Sequence, residues 1–171
     1  MDRKKKVKPD IVFFDYINIC DSRSEYDTYV NKLNGKEEIG ITNLSNNKIG
    51  IASLSPDNRF VQVTSIKVLN SAGMGTQGKI IKGITQAADM GADVISLSLG
   101  GFSSKFRQKA YVEAVKYANK AGAIVVVAAG NSNRNAKSYS PANTPGVITV
   151  TAADTMVNHA HFSNTVQDLK M

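Results

Sequence analysis

A chain of 171 residues, 42% hydrophobic and 20% charged, has the size and balance of one globular domain and can bury roughly two-thirds of its unfolded surface. That balance excludes disordered, collagen-like and low-complexity classes. No apolar run nears the ~20 residues of a membrane-spanning helix, and the single cysteine, Cys20, excludes a disulfide framework or a Cys-rich zinc site. The formal net charge of +7 leaves nucleic acid, acidic lipid and acidic protein partners open.

The chain divides into a basic tail, 1–10, and a domain, 11–171. Arg3, Lys4, Lys5, Lys6 and Lys8 crowd the tail, which reads as a solvated terminus rather than an arm for nucleic acid or membrane. The apolar stretch 11–19 is short and interrupted by Asp15, so no secretory leader and a cytoplasmic location are expected. Ile11-Val12-Phe13-Phe14 is a continuous apolar run, as in a buried parallel strand. Further strands are predicted over 61–69, which is rich in β-branched residues, and over 93–97, 123–128 and 147–150. Ile80, Ile84, Ala87 and Ala88 form one stripe of a helix over 76–90 that Gly91 closes. Tyr111, Ala114, Val115 and Ala118 repeat that stripe over 104–121, closed by Gly122. Strands alternating with helices of this length imply right-handed crossovers and an α/β fold, a parallel sheet with helices on both faces. Ligands then bind at the carboxyl ends of the strands, where Asp15, 70–75, 98–101 and 130–133 lie.

Gly73-Met74-Gly75-Thr76-Gln77-Gly78 is a literal G-x-G-x-x-G between a strand and a helix. It does not read as a dinucleotide site. Residues 70–73 stand between the strand's last apolar position and the motif's second residue, so the turn is not tight, and Asp93 starts the next strand instead of ending it. No small-molecule nucleotide is expected as a partner.

Ala128-Ala129-Gly130-Asn131-Ser132 follows a wholly apolar strand. An asparagine carboxamide fixed at a strand end is a pre-aimed N–H donor, which can stabilise an oxyanion by roughly 3–4 kcal/mol in a dry site. Its surroundings resemble the subtilisin-like serine peptidases, the subtilases. Asp93-Val94-Ile95-Ser96-Leu97-Ser98-Leu99-Gly100-Gly101 is similar to that family's D-V-I-x-x-S-L-G-G, and 125–131 to its V-V-x-A-A-G-N. Tyr139, Pro141-Ala142 and 147–154 resemble its Y-P-A…V-I-x-V-x-A-x-D, and 160–163 its A-x-F-S. Ile66-Lys67-Val68-Leu69 with Gly73 and Gly75 resembles V-K-V-L-x-x-x-G-x-G, so the likeness runs in order from about 46 to 163.

The resemblance implies roles for single residues. Ser98, Leu99 and Gly100 would hold an extended peptide as an added strand, with Gly73 and Gly75 on the opposite rim. Asn131 would be the oxyanion donor, and Asp15, at the end of the first strand, the triad acid, although Tyr16 and Ile17 replace the small residue and glycine that usually follow it. The family's H-G-T-H-V-A-G registers on Asn34-Gly35-Lys36-Glu37-Glu38-Ile39-Gly40, where Asn34 replaces the general base, and an asparagine cannot take a proton from a serine near neutral pH. His159 and His161, the two histidines, come after the oxyanion strand, out of the family's order. They also lack a third group for a metal, so no metal ligand is assigned. No G-T-S-x-A nucleophile motif follows before Met171. Losing the serine or the histidine costs a subtilisin about 2 × 10⁶ in kcat.

Three readings result. The first is a subtilase-family domain without catalytic activity, a pseudopeptidase or truncated fragment, that keeps a peptide-binding groove. The second is part of an active serine endopeptidase completed by another chain or a downstream segment. The third and weakest is a basic adaptor for nucleic acid or membrane. No cofactor is called for, although Asn46-Asn47-Lys48-Ile49-Gly50-Ile51 resembles the family's calcium loop, with Lys48 adding an unfavourable charge.

Overall fold

The computed structural model describes residues 11–14, 63–70 and 72–166. Its frame is a five-stranded, wholly parallel sheet in the order β2-β1-β3-β5-β7. The strands are β1 (Ile11–Phe14), β2 (Val63–Ser65), β3 (Val94–Leu97), β5 (Ile124–Ala128) and β7 (Val147–Val150). Two helices cross over between strands, α1 (Gln77–Asp89) and α2 (Lys105–Lys120), and a two-residue antiparallel pair, β4 (Gly101–Phe102) with β6 (Tyr139–Ser140), lies beyond the sheet. The strand over 61–69 is shorter than its composition suggests. Phe13 already pairs with Ser65, one residue from the end of β1, and Val68 then turns into the core.

The helix ends follow local chemistry. Thr76 caps α1 through its hydroxyl to Lys79 N–H, and Ser104 caps α2 in the same way to Arg107 N–H. Gly91 and Gly122 follow the last turns with φ of 79° and 96°, a backbone that an L side chain resists.

Alternation along the strands decides which face is covered. Ile95, Leu97, Val125 and Val127 are buried and share one core with Ile80, Ile84 and Ala87 of α1 and Tyr111, Val115 and Ala118 of α2. Both described helices therefore cover the same face. On the other face Ile124 is 51% exposed, Ile148 54% and Val150 50%. Val126 pairs with Ile148 and Ala128 with Val150, so these positions form one apolar surface.

Candidate peptide-binding cleft

The carboxyl ends of β3 and β5 open onto a cleft of about 600 Å³. One wall is the segment Ser98–Gly101 after β3, and another is Gly73–Gly75 before α1. The floor comes from Ala128–Ser132 after β5, and β4 and β6 close one end. Gly73, Gly75, Ser98, Leu99, Gly100 and Asn131, singled out from the sequence, all line this one cleft. Asp15, Asn34 and 46–51 lie outside the described residues, as does the tail.

Each wall has a physical basis. Asn70 folds the loop before α1 on itself: its Oδ1 accepts from the N–H groups of Ala72 and Met74, both at 3.0 Å, and its own N–H donates to Met74 C=O at 2.9 Å. A Cβ at Gly75 would stand 2.6 Å from both Leu69 Cδ2 and Val68 O, so only glycine lets the chain pass there. Gly73, with φ of 72°, thus serves a side-chain-closed turn and Gly75 a close chain crossing. On the other wall, the backbone groups of Ser98, Leu99 and Gly100 make no hydrogen bond to another described residue. A strand edge that no described residue pairs is the kind of surface on which strands can be added.

Asn131 is exposed at the cleft floor, and the loop that carries it is fixed from behind by Asn164. Asn164 is 0% exposed. Its Oδ1 accepts from Ser132 N–H and Arg134 N–H, both at 3.0 Å, its Nδ2 donates to Ala129 C=O at 2.8 Å, and its backbone N–H donates to Gly130 C=O at 2.8 Å. Gly130 between them has φ of 98°, and a Cβ there would meet Asn164 Nδ2 at 2.7 Å. The A-x-F-S match stops one residue short of Asn164, and its role lies in long-range contacts that spacing along the chain does not reveal.

Two further features escape a reading of the sequence. Phe102 and Tyr139 meet edge to face at 6.1 Å where β4 pairs with β6, placing an aromatic pair at the cleft. Strands of two residues have too little pattern to predict. Behind them Ser140 Oγ lies 2.6 Å from Ser103 Oγ and 2.7 Å from Asn143 Oδ1, a polar network that ties the two segments together. Tyr111, also in the lining, is buried, which pushes its phenol up to about 12, with the nearby Arg107 charge pulling the other way.

The histidines stand apart from this cleft. His161 packs edge to face on Phe162, and His159 Nε2 lies 3.3 Å from Asn164 C=O. Neither lines the cleft. Among the described residues no cluster of His, Cys, Asp and Glu could hold a metal ion.

The sequence profile of the subtilase family matches residues 38–171. This chain belongs to the subtilase family. Its relatives include thermitase of Thermoactinomyces vulgaris, 40% identical over 120 residues, covering 70% of this chain and 40% of thermitase. Subtilisin DY of Bacillus licheniformis is 38% identical over 141 residues, covering 80% of this chain and 49% of that protein. Among solved structures, a cold-adapted subtilisin-like serine proteinase superposes with a TM-score of 0.56 at 31% identity, over 68% of this chain and 41% of the other. A lanthipeptide protease gives 0.60 at 28% identity, over 66% and 37%. The subtilase fold of this chain is therefore shown, and the chain spans half or less of the length of these relatives.

Proposed function

We propose that this subtilase domain binds extended peptide segments in the cleft and does not hydrolyse them. The observation that carries the reading is the backbone of Ser98, Leu99 and Gly100, which no other described residue pairs and which lines one cleft with Gly73 and Gly75. A peptide laid between them would gain main-chain hydrogen bonds independent of its side chains. Asn131, which lines the same cleft, would donate to a substrate carbonyl. Hydrolysis needs more than a donor: a base must take the proton of a nucleophile within hydrogen-bond reach. Asn34 stands where the family's base belongs, and neither histidine lines the cleft. The 171 residues also contain no G-T-S-x-A. By this reading Asp15 is a triad acid without a triad.

The test is chemical. A fluorophosphonate probe should leave every serine unlabelled, and casein should remain uncut. Asn34→His alone should not restore activity, because the nucleophile motif is still lacking. Stoichiometric labelling of one serine would defeat the proposal.

A second reading, completion into an active endopeptidase by another chain or a further segment, draws support from one observation. Ile124, Ile148 and Val150 leave an apolar sheet face half exposed, and a hollow of about 330 Å³ between β3, β5 and β7 adjoins it and reaches Asn131. Recovery of proteolysis on mixing the chain with the remainder of a subtilase domain would favour this reading over the first.

A further inference from the structure

The described lining of the cleft is uncharged except for one side chain. Among its described lining residues Arg107 is the one side chain with a formal charge, and no described carboxylate pairs with it. Arg107 sits in the first turns of α2, one turn before Tyr111, and Gln77 of α1 fixes its backbone: Gln77 Nε2 donates to Arg107 C=O at 2.6 Å. The backbone of Arg107 is thus fixed where α1 and α2 are tied together, and its side chain lines the same cleft as Leu69, Ile80 and Leu99.

The charge around this end is one-sided. A first helical turn ordinarily favours acidic side chains, which complement its unpaired N–H groups. Neither α1 nor α2 has one there, and basic Lys79, Lys105 and Arg107 occupy those turns instead. Neither helix thus supplies a counter-charge to its own positive start. A guanidinium presents a planar fork of donors that fits a carboxylate in a bidentate manner. A polynucleotide is a poorer fit, because it is held by several cations along a groove and here one charge lines the cleft.

Resting on the peptide-binding reading above, we infer that the Arg107 end of the cleft selects an acidic side chain in the bound peptide, so that the preferred ligand is an extended segment with an Asp or Glu several residues from the position over Asn131. Tyr111 stays a neutral phenol at physiological pH and adds no competing anion.

The experiment is a titration, followed by fluorescence anisotropy, of the full 171-residue chain against blocked, labelled octapeptides of alanine and serine in which one glutamate is moved through each position. One register should bind about fivefold more tightly than the all-neutral peptide, as for a single partly solvated charge pair. That advantage should shrink in high salt. Arg107→Gln should abolish the advantage, read as the ratio of the glutamate peptide's affinity to the neutral peptide's in the same variant, and Arg107→Glu should transfer it to the peptide with lysine in that register. Circular dichroism of both variants checks that they fold. Peptides that bind equally well with and without glutamate would overturn the inference and leave the cleft reading intact. Failure of every peptide to bind would overturn both. Tighter binding of a thymidine oligonucleotide that is lost in Arg107→Gln would assign the charge to nucleic acid and overturn it as well.

Discussion

Gly130 and Asn164 illustrate how single residues fix the cleft floor. Gly130 combines a φ of 98° with a neighbour, Asn164 Nδ2, 2.7 Å from where a Cβ would stand. Gly130→Ala should therefore cost at least about 2 kcal/mol, the sum of left-handed strain and a displaced buried amide. Asn164→Ala should cost about 2–3 kcal/mol, since it orphans the N–H groups of Ser132 and Arg134 and the carbonyl of Ala129. Urea denaturation reads both, and a loss under 0.5 kcal/mol for Asn164→Ala would mean that the loop holds itself. Tyr111 gives a pH signature. Its phenol ionises near 10 when solvated and at about 12 in the fold. A raised folded value means that its contribution is complete below pH 10 and is lost as pH climbs from about 10 to about 12. The stability of the native chain should fall over that window, and Tyr111→Phe should flatten that part of the fall.

At the scale of the elements, the caps are individually testable. Ser104→Ala removes the hydroxyl that accepts from Arg107 N–H and should destabilise the fold by about 1 kcal/mol, seen as a lower midpoint at unchanged slope. A substitution by Asp should be neutral or stabilising, because it still caps and adds an anion at a helix start. These elements were largely legible in the sequence. The apolar run 11–14, the all-apolar 124–128, and the stripes of α1 and α2 with their closing glycines each have a local cause, and they appear within one or two residues of expectation. What stayed hidden depends on contacts between distant segments. The pairing of β4 with β6 joins residues 37 and 39 positions apart through two-residue strands, and Gln77 reaches Arg107 across 30 positions. The glycine run 73–78 shows the opposite case. Its pattern suits a phosphate loop, but its geometry is set by Asn70 and by the crossing over Val68, as the four-residue offset from the strand implied.

For the whole molecule, two surfaces compete for attention: the cleft at the strand ends and the apolar face opposite the helices. Burying a large aliphatic side chain is worth ~1.5–3 kcal/mol, against a total margin of about 5–15 kcal/mol for a domain. Half-exposed Ile124, Ile148 and Val150 are therefore a substantial unrealised gain. The isolated chain should associate in a concentration-dependent way, and Ile148→Lys should shift it toward monomer in light scattering; a wild-type chain that stays monomeric and melts in one sharp reversible transition would show that the face needs no cover. The cleft bears on the central claim, that this subtilase domain holds a peptide without cutting it. The most direct measurement is mass spectrometry of a labelled octapeptide recovered after prolonged incubation with the chain under conditions where anisotropy reports it bound. The account predicts a bound peptide recovered intact, with no acyl adduct on any serine. Cleavage products that accumulate in proportion to the chain and vanish in Asn131→Ala would contradict it.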